Sequence, residues 1–370
     1  MKLLINASTL SGTGVSQVAV SFISECKKHS EHEYTVFLSK SIYDNIDIES
    51  FPNNFTFFKF INSPLKSLSS WVRCKYLYIK TSPNCVFSIF GPSYWTPNVP
   101  HLQGYAYPHY VYPESPLFNI ISFKEKFKIM IYKHLHKYFL KRNGNYFVAE
   151  TVDVSHRLKK FLGIDSKNIF TVSNTYNREI FKKNTCYRPY DSNEFKLLSL
   201  CSPYLHKNLS IINQVVEELE KLEPKLKFTF ILTIDSRNYN SMFSNKAKRY
   251  IRNVGPVAIK DCPDLYRECD AIFLPTLLEC FSANYPEAMV MERPILTSDL
   301  PFARCVCKDA ALYFNPMDPK DIATKLIALS ESRPLYKSLV SKGLNVLADI
   351  PSSSSRALQY LSICESISKK

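Results

Sequence analysis

Glycine is scarce in this sequence, cysteines make no C-x-x-C pair, and long apolar runs are missing. Only 8 of 370 residues are Gly, against 25 Phe and 23 Tyr. That balance excludes a low-complexity or globally disordered chain. The 11 cysteines are odd in number and scattered. Cys305 and Cys307 form a lone C-x-C, weak as a metal motif, so free thiols in a reducing compartment fit better than a disulfide framework. The N-terminus, MKLLINASTLSGTGV, lacks the apolar core of a secretory signal. No stretch approaches the ~18 apolar residues that span a bilayer. The expectation is a cytoplasmic protein that touches a membrane only peripherally, from the inner face. No zinc-finger spacing or aromatic-glycine RNA motif is present, and no Asp-x-Asp metal motif sits at a strand end. Asp261-Cys-Pro-Asp264 has the wrong context for one.

What is present reads as an ordinary globular chain, 45% hydrophobic and 22% charged, long enough for two domains. The net charge of +14 favours anionic partners: nucleic acid, phosphorylated small molecules or an acidic lipid surface. A basic surface kept for solubility would account for it equally.

The patterning alternates strands with helices. Lys2 to Ala7 reads as a strand, Ser8 to Gly14 as a glycine loop and Val15 to Cys26 as a helix. Strands follow at Tyr34–Leu38, Phe55–Ile61, Cys85–Phe90, Tyr146–Ala149 and Ile169–Val172. Residues 91–117, rich in Pro, Tyr and His, have the composition of a long loop, the kind often used functionally. Phe123 to Arg142 reads as a basic amphipathic helix carrying Lys124, Lys126, Lys128, Lys133, Lys137 and Lys141. Residues 182–194 make a polar linker. A second alternation begins at Phe195, with strands at Lys196–Cys201, Phe228–Thr233, Val254–Val257, Ala271–Leu274, Pro294–Thr297 and Ala311–Phe314. Helices are read at Asn208–Leu222, Pro263–Glu268 and Asn284–Met291, then from Pro319, from Pro334 and after Ser355. The fold class is therefore α/β, with parallel sheets covered by helices on both faces. Two such domains in tandem predict a cleft, with the site built from strand-to-helix loops of both halves.

Several residue groups could carry chemistry. Between the strand at 271–274 and the helix at 284 lies a loop holding Glu279, and Glu287 falls in that helix's first turn. The amides between them make an anion site of the helix N-terminus, and the two carboxylates could grip hydroxyls either side of a bound diphosphate. Equally, Glu287 could complement the helix dipole and Glu279 be a solvated loop residue. In Cys201-Ser-Pro-Tyr-Leu-His-Lys207, Lys207 stands between a strand and a helix, where it could neutralise a leaving diphosphate; a surface lysine is the other reading. Ser11-Gly-Thr-Gly-Val15 places Gly12 and Gly14 for close backbone approach to phosphate, or simply for a tight turn. Val18 stands where a dinucleotide fingerprint needs its third glycine. His101 and His109 flank Leu102 to Pro108, and each is either catalytic or structural.

The stretch from Leu274 to Met289 resembles the signature of glycosyltransferase family 4, in which two glutamates are separated by seven residues. Val254-Gly-Pro-Val257, Leu265 to Pro275, Arg293 to Pro301 and Asp309 to Pro319 are similar to the segments around that signature, so the resemblance runs over about residues 195–330. It implies the GT-B fold: two Rossmann-like parallel-sheet domains facing across a cleft. The domains implied are 1–182 for the acceptor and 183–345 for a nucleotide sugar, with 346–370 a C-terminal helix crossing back to the first domain. It further implies a retaining, metal-independent sugar transferase, with no cofactor beyond its nucleoside-diphosphate-sugar co-substrate. Glu279 would hold the donor sugar, Glu287 the ribose, and Phe281 and Ser282 would offer amides to the diphosphate. Val257 would lie near the base, and Gly12 and Gly14 near the diphosphate. Lys207 matches the lysine of the family's Arg-x4-Lys clamp, but Ser202 stands at the arginine position, leaving His206 as a substitute cation. A catalytic histidine is implied near Tyr105, where this sequence has none, so His109 and His101 are the candidates. Asn174, with Thr175 in place of the family's glycine, would be architectural. Residues Gly91 to Trp95, His101 to Ala106 and Tyr112 to Glu114 are similar to a subgroup of bacterial surface-polysaccharide enzymes that build lipopolysaccharide O-antigen or capsule. The partners implied are a nucleotide-sugar donor, a glycan or undecaprenyl-linked acceptor and an anionic membrane surface against helix 123–142, with no nucleic acid. A nucleotide-sugar epimerase of the same architecture, or a basic nucleic-acid-binding protein, remains as an alternative.

Overall fold

The computed structural model describes residues 1–182 and 193–369; nearly all of the linker read at 182–194 lies outside them. The chain divides into two compact units. One comprises Met1–Val111, Ser122–Asn174 and Pro351–Lys370, the other Tyr112–Ile121 and Thr175–Ile350.

The first unit is built on β1 (Lys2–Ala7), β2 (Glu33–Ser39), β3 (Phe55–Phe60), β4 (Cys85–Ser88), β5 (His101–Gly104), β6 (Tyr146–Ala149) and β7 (Ile169–Thr171). They form a parallel sheet in the order β3-β2-β1-β4-β5-β6-β7. Helices connect them: α1 (Thr13–Glu25), α2 (Lys40–Tyr43), α3 (Leu68–Thr81), α4 (Pro108–Val111), then α5 (Leu117–Ile120), which belongs to the other unit, α6 (Phe123–Asn143) and α7 (Val152–Leu162). A parallel sheet is covered on both faces, so its strands read as continuous apolar runs; β4 and β5 are buried at every residue.

Alternation along β1 separates two cores. Leu3 and Ile5 pack with Phe22 and Ile23 of α1 and with Tyr360 and Leu361 of the C-terminal helix Ser353–Ser368. Leu4 packs on the other face with Cys74 and Leu77 of α3 and with Trp95. The C-terminal helix is tied down by a buried Arg356, whose Nη1 donates to Asn174 Oδ1 and whose Nη2 donates to Ser21 Oγ at 2.8 Å. Gly104 is obligatory for a steric reason: a Cβ there would stand 1.8 Å from the Ile89 carbonyl oxygen, where the chain leaving β4 crosses β5.

The second unit is built on β8 (Glu194–Ser199), β9 (Lys227–Leu232), β10 (Ile251–Asn253), β11 (Ala271–Leu274), β12 (Ile295–Ser298) and β13 (Ala311–Phe314), parallel in the order β10-β9-β8-β11-β12-β13. Its helices are α8 (Ile212–Leu222), α9 (Ser236–Met242), α10 (Asn245–Lys248), α11 (Cys262–Glu268), α12 (Asn284–Val290), α13 (Pro301–Cys307), α14 (Pro319–Glu331) and α15 (Arg333–Ala348). Both units are thus Rossmann-like α/β sheets.

Three expectations change. The strand expected at Val254–Val257 is Ile251–Asn253 instead, because Gly255 adopts φ +77 and breaks the extended course. The helix expected from Asn208 starts at Ile212, because Asn208 sits in the left-handed region at φ 54 and interrupts the turn before it. The long loop of 91–117 contains β5 and α4 and reaches into α5.

Candidate functional site

In each sheet the strand order reverses once, between β1 and β4 in the first and between β8 and β11 in the second. Loops leaving the carboxyl ends of such a strand pair run in opposite directions, and the crevice they leave is where open α/β sheets bind ligands. In the second unit those loops are the ones that carry Lys207 and Glu279.

Lys207 closes a 3-10 turn, Leu205–Lys207, after β8. The left-handed Asn208 behind it is anchored by its side-chain amide, which donates to the Pro316 carbonyl at 3.0 Å. Glu279 lies five residues beyond the end of β11. The two loops are stitched together where the Leu277 N–H donates to the His206 carbonyl at 2.7 Å. Lys207 Nζ then donates directly to Glu279 Oε1. Both side chains are largely enclosed, at 15% and 13% exposure. Burial works against the ammonium charge, but the Glu279 carboxylate, together with Cys201 and Tyr204, outweighs it and holds the lysine above its ordinary value. The site therefore keeps a fixed positive charge at neutral pH beside a carboxylate.

Glu287 is held separately. It sits half-buried in the first turn of α12 and accepts a hydrogen bond from the Tyr266 hydroxyl of α11 at 2.8 Å. Burial pushes its carboxyl up to about 7, the tyrosine hydrogen bond pulling the other way. It holds its proton more readily than an ordinary glutamate and, when protonated, can donate as well as accept a hydrogen bond. The start of α12 is fixed by Asn284, which donates to the Leu200 carbonyl at 2.8 Å. Phe281 is half-buried, while Ser282 is buried and its carbonyl accepts from Tyr285 N–H at 3.2 Å.

The remaining candidates fall as follows. Ser202 is exposed, and its carbonyl accepts from Tyr204 N–H at 2.8 Å. The His206 ring stacks on Tyr204, centroids 5.6 Å apart. Val257 is half-buried two residues past the Gly255 turn. In the first unit Gly12 caps α1 at φ +104, a conformation closed to side chains, on the loop leaving β1 at that sheet's reversal point. Gly14 lies within the first turn of α1 rather than in the loop, since the helix begins at Thr13. His109 is on α4, half-buried, with burial lowering it below an ordinary histidine. His101 is different: it is fully buried in β5, one ring nitrogen 2.9 Å from Ser88 Oγ and the other bonded to the Asn143 carbonyl. Burial lowers it to about 4. A neutral imidazole with both nitrogens engaged inside the core joins β4, β5 and α6.

One participant left no mark in the sequence. Tyr112–Ile121 belongs to the second unit, and buried Ser115 donates from Oγ to the Leu277 carbonyl at 2.7 Å. Leu277 is thus held at its N–H by His206 and at its carbonyl by Ser115. A serine more than 150 positions away gives no local signal of that role. Among the described residues, no group of three or more His, Cys, Asp and Glu is gathered as a metal site.

Residues 196–332 match the family model of glycosyl transferases group 1. The chain carries a glycosyltransferase domain. Within this domain lie Lys207, Glu279 and Glu287, with Ser202, His206, Val257, Phe281 and Ser282, whereas Gly12, His101 and His109 precede it. No curated protein sequence matches the chain. Solved structures extend the likeness to the whole length at the level of fold. HepE of Anabaena, crystallised with UDP and glucose, is 14% identical with a TM-score of 0.71, covering 99% of this chain and 100% of that one. A glycosyltransferase from Rickettsia africae is 18% identical with a TM-score of 0.72, covering 100% and 99%. WaaG, a glycosyltransferase involved in lipopolysaccharide biosynthesis, is 11% identical with a TM-score of 0.73, covering 98% and 99%. The glycosyltransferase domain and the sheet that precedes it therefore have the GT-B fold.

Proposed function

We propose that the chain transfers a sugar from a nucleoside-diphosphate sugar to a glycan acceptor, carried on a lipid such as an undecaprenyl chain. The second unit takes the donor and the first the acceptor. The observation that carries this reading is the Lys207–Glu279 pair at the strand-order reversal of the second sheet. An enclosed ammonium there can take up the negative charge that develops on a departing diphosphate. Glu279 orients that ammonium and accepts hydrogen bonds from donor-sugar hydroxyls. Glu287 meets the ribose, and the amides of Phe281 and Ser282 reach the diphosphate.

The acceptor hydroxyl attacks the anomeric carbon from the face the diphosphate leaves. The new carbon–oxygen bond forms as the bond to the phosphate oxygen breaks, and the hydroxyl proton passes to the departing diphosphate. The configuration is retained. Charge neutralisation falls to Lys207 and loop amides rather than to a divalent cation, so a chelator should leave turnover unchanged. His109 is the histidine kept for the acceptor side. Crystals of HepE hold UDP and glucose, which makes UDP-sugars the first donors to try. The WaaG likeness and the basic helix α6 support surface polysaccharide, assembled at the cytoplasmic face of an anionic membrane. Among the described residues no helix is long and apolar enough to cross one.

Lys207→Ala and Glu279→Ala should each lower kcat/KM by about a thousandfold, with circular dichroism unchanged. The assay follows radiolabelled sugar moving from donor to a lipid-linked acceptor. Wild-type turnover in either variant rejects the assignment, as does an epimerised donor accumulating with no acceptor present.

A further inference from the structure

Between Glu49 and Glu114 the sequence has no Asp or Glu. Helix α3 lies in that interval, and only one side of it is used by the fold. Cys74 and Leu77 are buried against the sheet. On the opposite side, Leu68, Val72, Tyr76 and Ile79 recur at helical spacing and face solvent, with Leu68 at 77% and Ile79 at 70% exposure. Ile61 and Leu65, just before the helix, are also exposed. Lys75 borders this stripe on one side and Arg73 and Lys80 on the other, with Lys66 at its start, all of them exposed. Solvent-facing apolar side chains at such regular spacing on a helix are not a surface that water selects.

Helix α6 repeats the arrangement. Its buried residues are His136, Leu140 and Asn143, while Phe123, Phe127, Met130, Ile131 and Tyr138 are exposed, Phe123 at 81%. A shallow recess of about 460 Å³ along it is lined by His134, Lys137, Tyr138, Lys141 and Arg142. Both helices cover the same face of the first sheet. Leu4, Val86 and His101 are neighbours in register across β1, β4 and β5. Leu4 and Val86 belong to the core that α3 covers, and His101 bonds to Asn143 of α6. Trp95 bridges the two, 5.5 Å from the Tyr78 ring and stacked on His101.

We infer that α3 is a lipid-docking element. Its apolar stripe enters the interface of an anionic bilayer while Lys66, Arg73, Lys75 and Lys80 meet the headgroup phosphates. The charge pattern selects this occupant. A two-fold contact with a second copy would set this acid-free basic rim against itself, whereas an anionic leaflet complements every cation on it. The inference extends the membrane reading of α6 but stands on a different helix.

The test is co-sedimentation of the full chain with phosphatidylcholine vesicles, with and without phosphatidylglycerol. The wild-type protein should sediment only with the anionic vesicles. Val72→Glu/Ile79→Glu should lower the partition coefficient about tenfold or more, and the milder Val72→Ser/Ile79→Ser should lower it too. Both should keep the wild-type melting curve and transfer to a soluble acceptor analogue, so glycosyl transfer is scored separately. Unchanged binding in the α3 variants overturns the inference. If Phe123→Ser/Phe127→Ser then abolishes binding, docking belongs to α6 alone. Wild-type dimers that the α3 variants convert to monomers, with vesicle binding intact, overturn it in favour of a second copy.

Discussion

Glu287 shows how one residue's surroundings set its chemistry. An ordinary carboxyl releases its proton near pH 4.5, whereas this one is held to about 7 by burial. Between those values the folded chain keeps a proton that the unfolded chain has lost. Stability from this group is therefore fully present below about pH 4.5 and falls as pH rises through 7, by up to ~3 kcal/mol. Urea unfolding at several pH values should reveal that slope, and Glu287→Gln should flatten it. Ser115 acts at one remove. Ser115→Ala leaves the buried Leu277 carbonyl without its donor, a loss of about 1–3 kcal/mol, and frees the loop that aims Glu279. The expected result is a kcat lowered about tenfold with little change in donor KM; equal kcat in variant and wild type would reject a positioning role.

Among the elements, the C-terminal helix has the most to lose from one substitution. It fills the first unit's core with Ala357, Tyr360, Leu361, Cys364 and Ile367, and Arg356 is its polar anchor. Arg356→Ala would remove the buried donor that Asn174 Oδ1 and Ser21 Oγ share and open a cavity, destabilising by about 3 kcal/mol. A lowered midpoint in urea with an unchanged slope is the expected signature. Elements also differ in how plainly they announce themselves. β11 is a short, fully buried apolar run, and such a run bounded by turn residues stands out. α3 does not, because it is apolar on both its buried and its exposed sides, so no single polar face marks its period. α13 begins at Pro301, where proline at a first helical turn reads just as well as a loop.

For the molecule as a whole, donor binding should register as stability. A nucleotide sugar held at 100 times its dissociation constant adds about 2.7 kcal/mol, so a melting screen across UDP-, GDP- and ADP-sugars identifies the nucleotide by its shift. The two-sheet plan is legible because strand and helix periods alternate throughout, and the order of segments from 195 to 330 points to a glycosyltransferase. The pairing of Lys207 with Glu279 was not readable, because 72 residues and three strands separate them in sequence.

By itself, the order of amino acids determined the parallel α/β architecture and the acidic and basic residues offered for sugar transfer. Apolar periodicity and turn chemistry act over a few residues, so they are written locally. Only tertiary structure decided that His101 is a core residue and that Ser115 braces the Glu279 loop. It alone set the Glu287 carboxyl near neutrality and left one side of α3 bare. Burial and long-range hydrogen bonds depend on which distant segments the sheets bring side by side, and no local pattern encodes that.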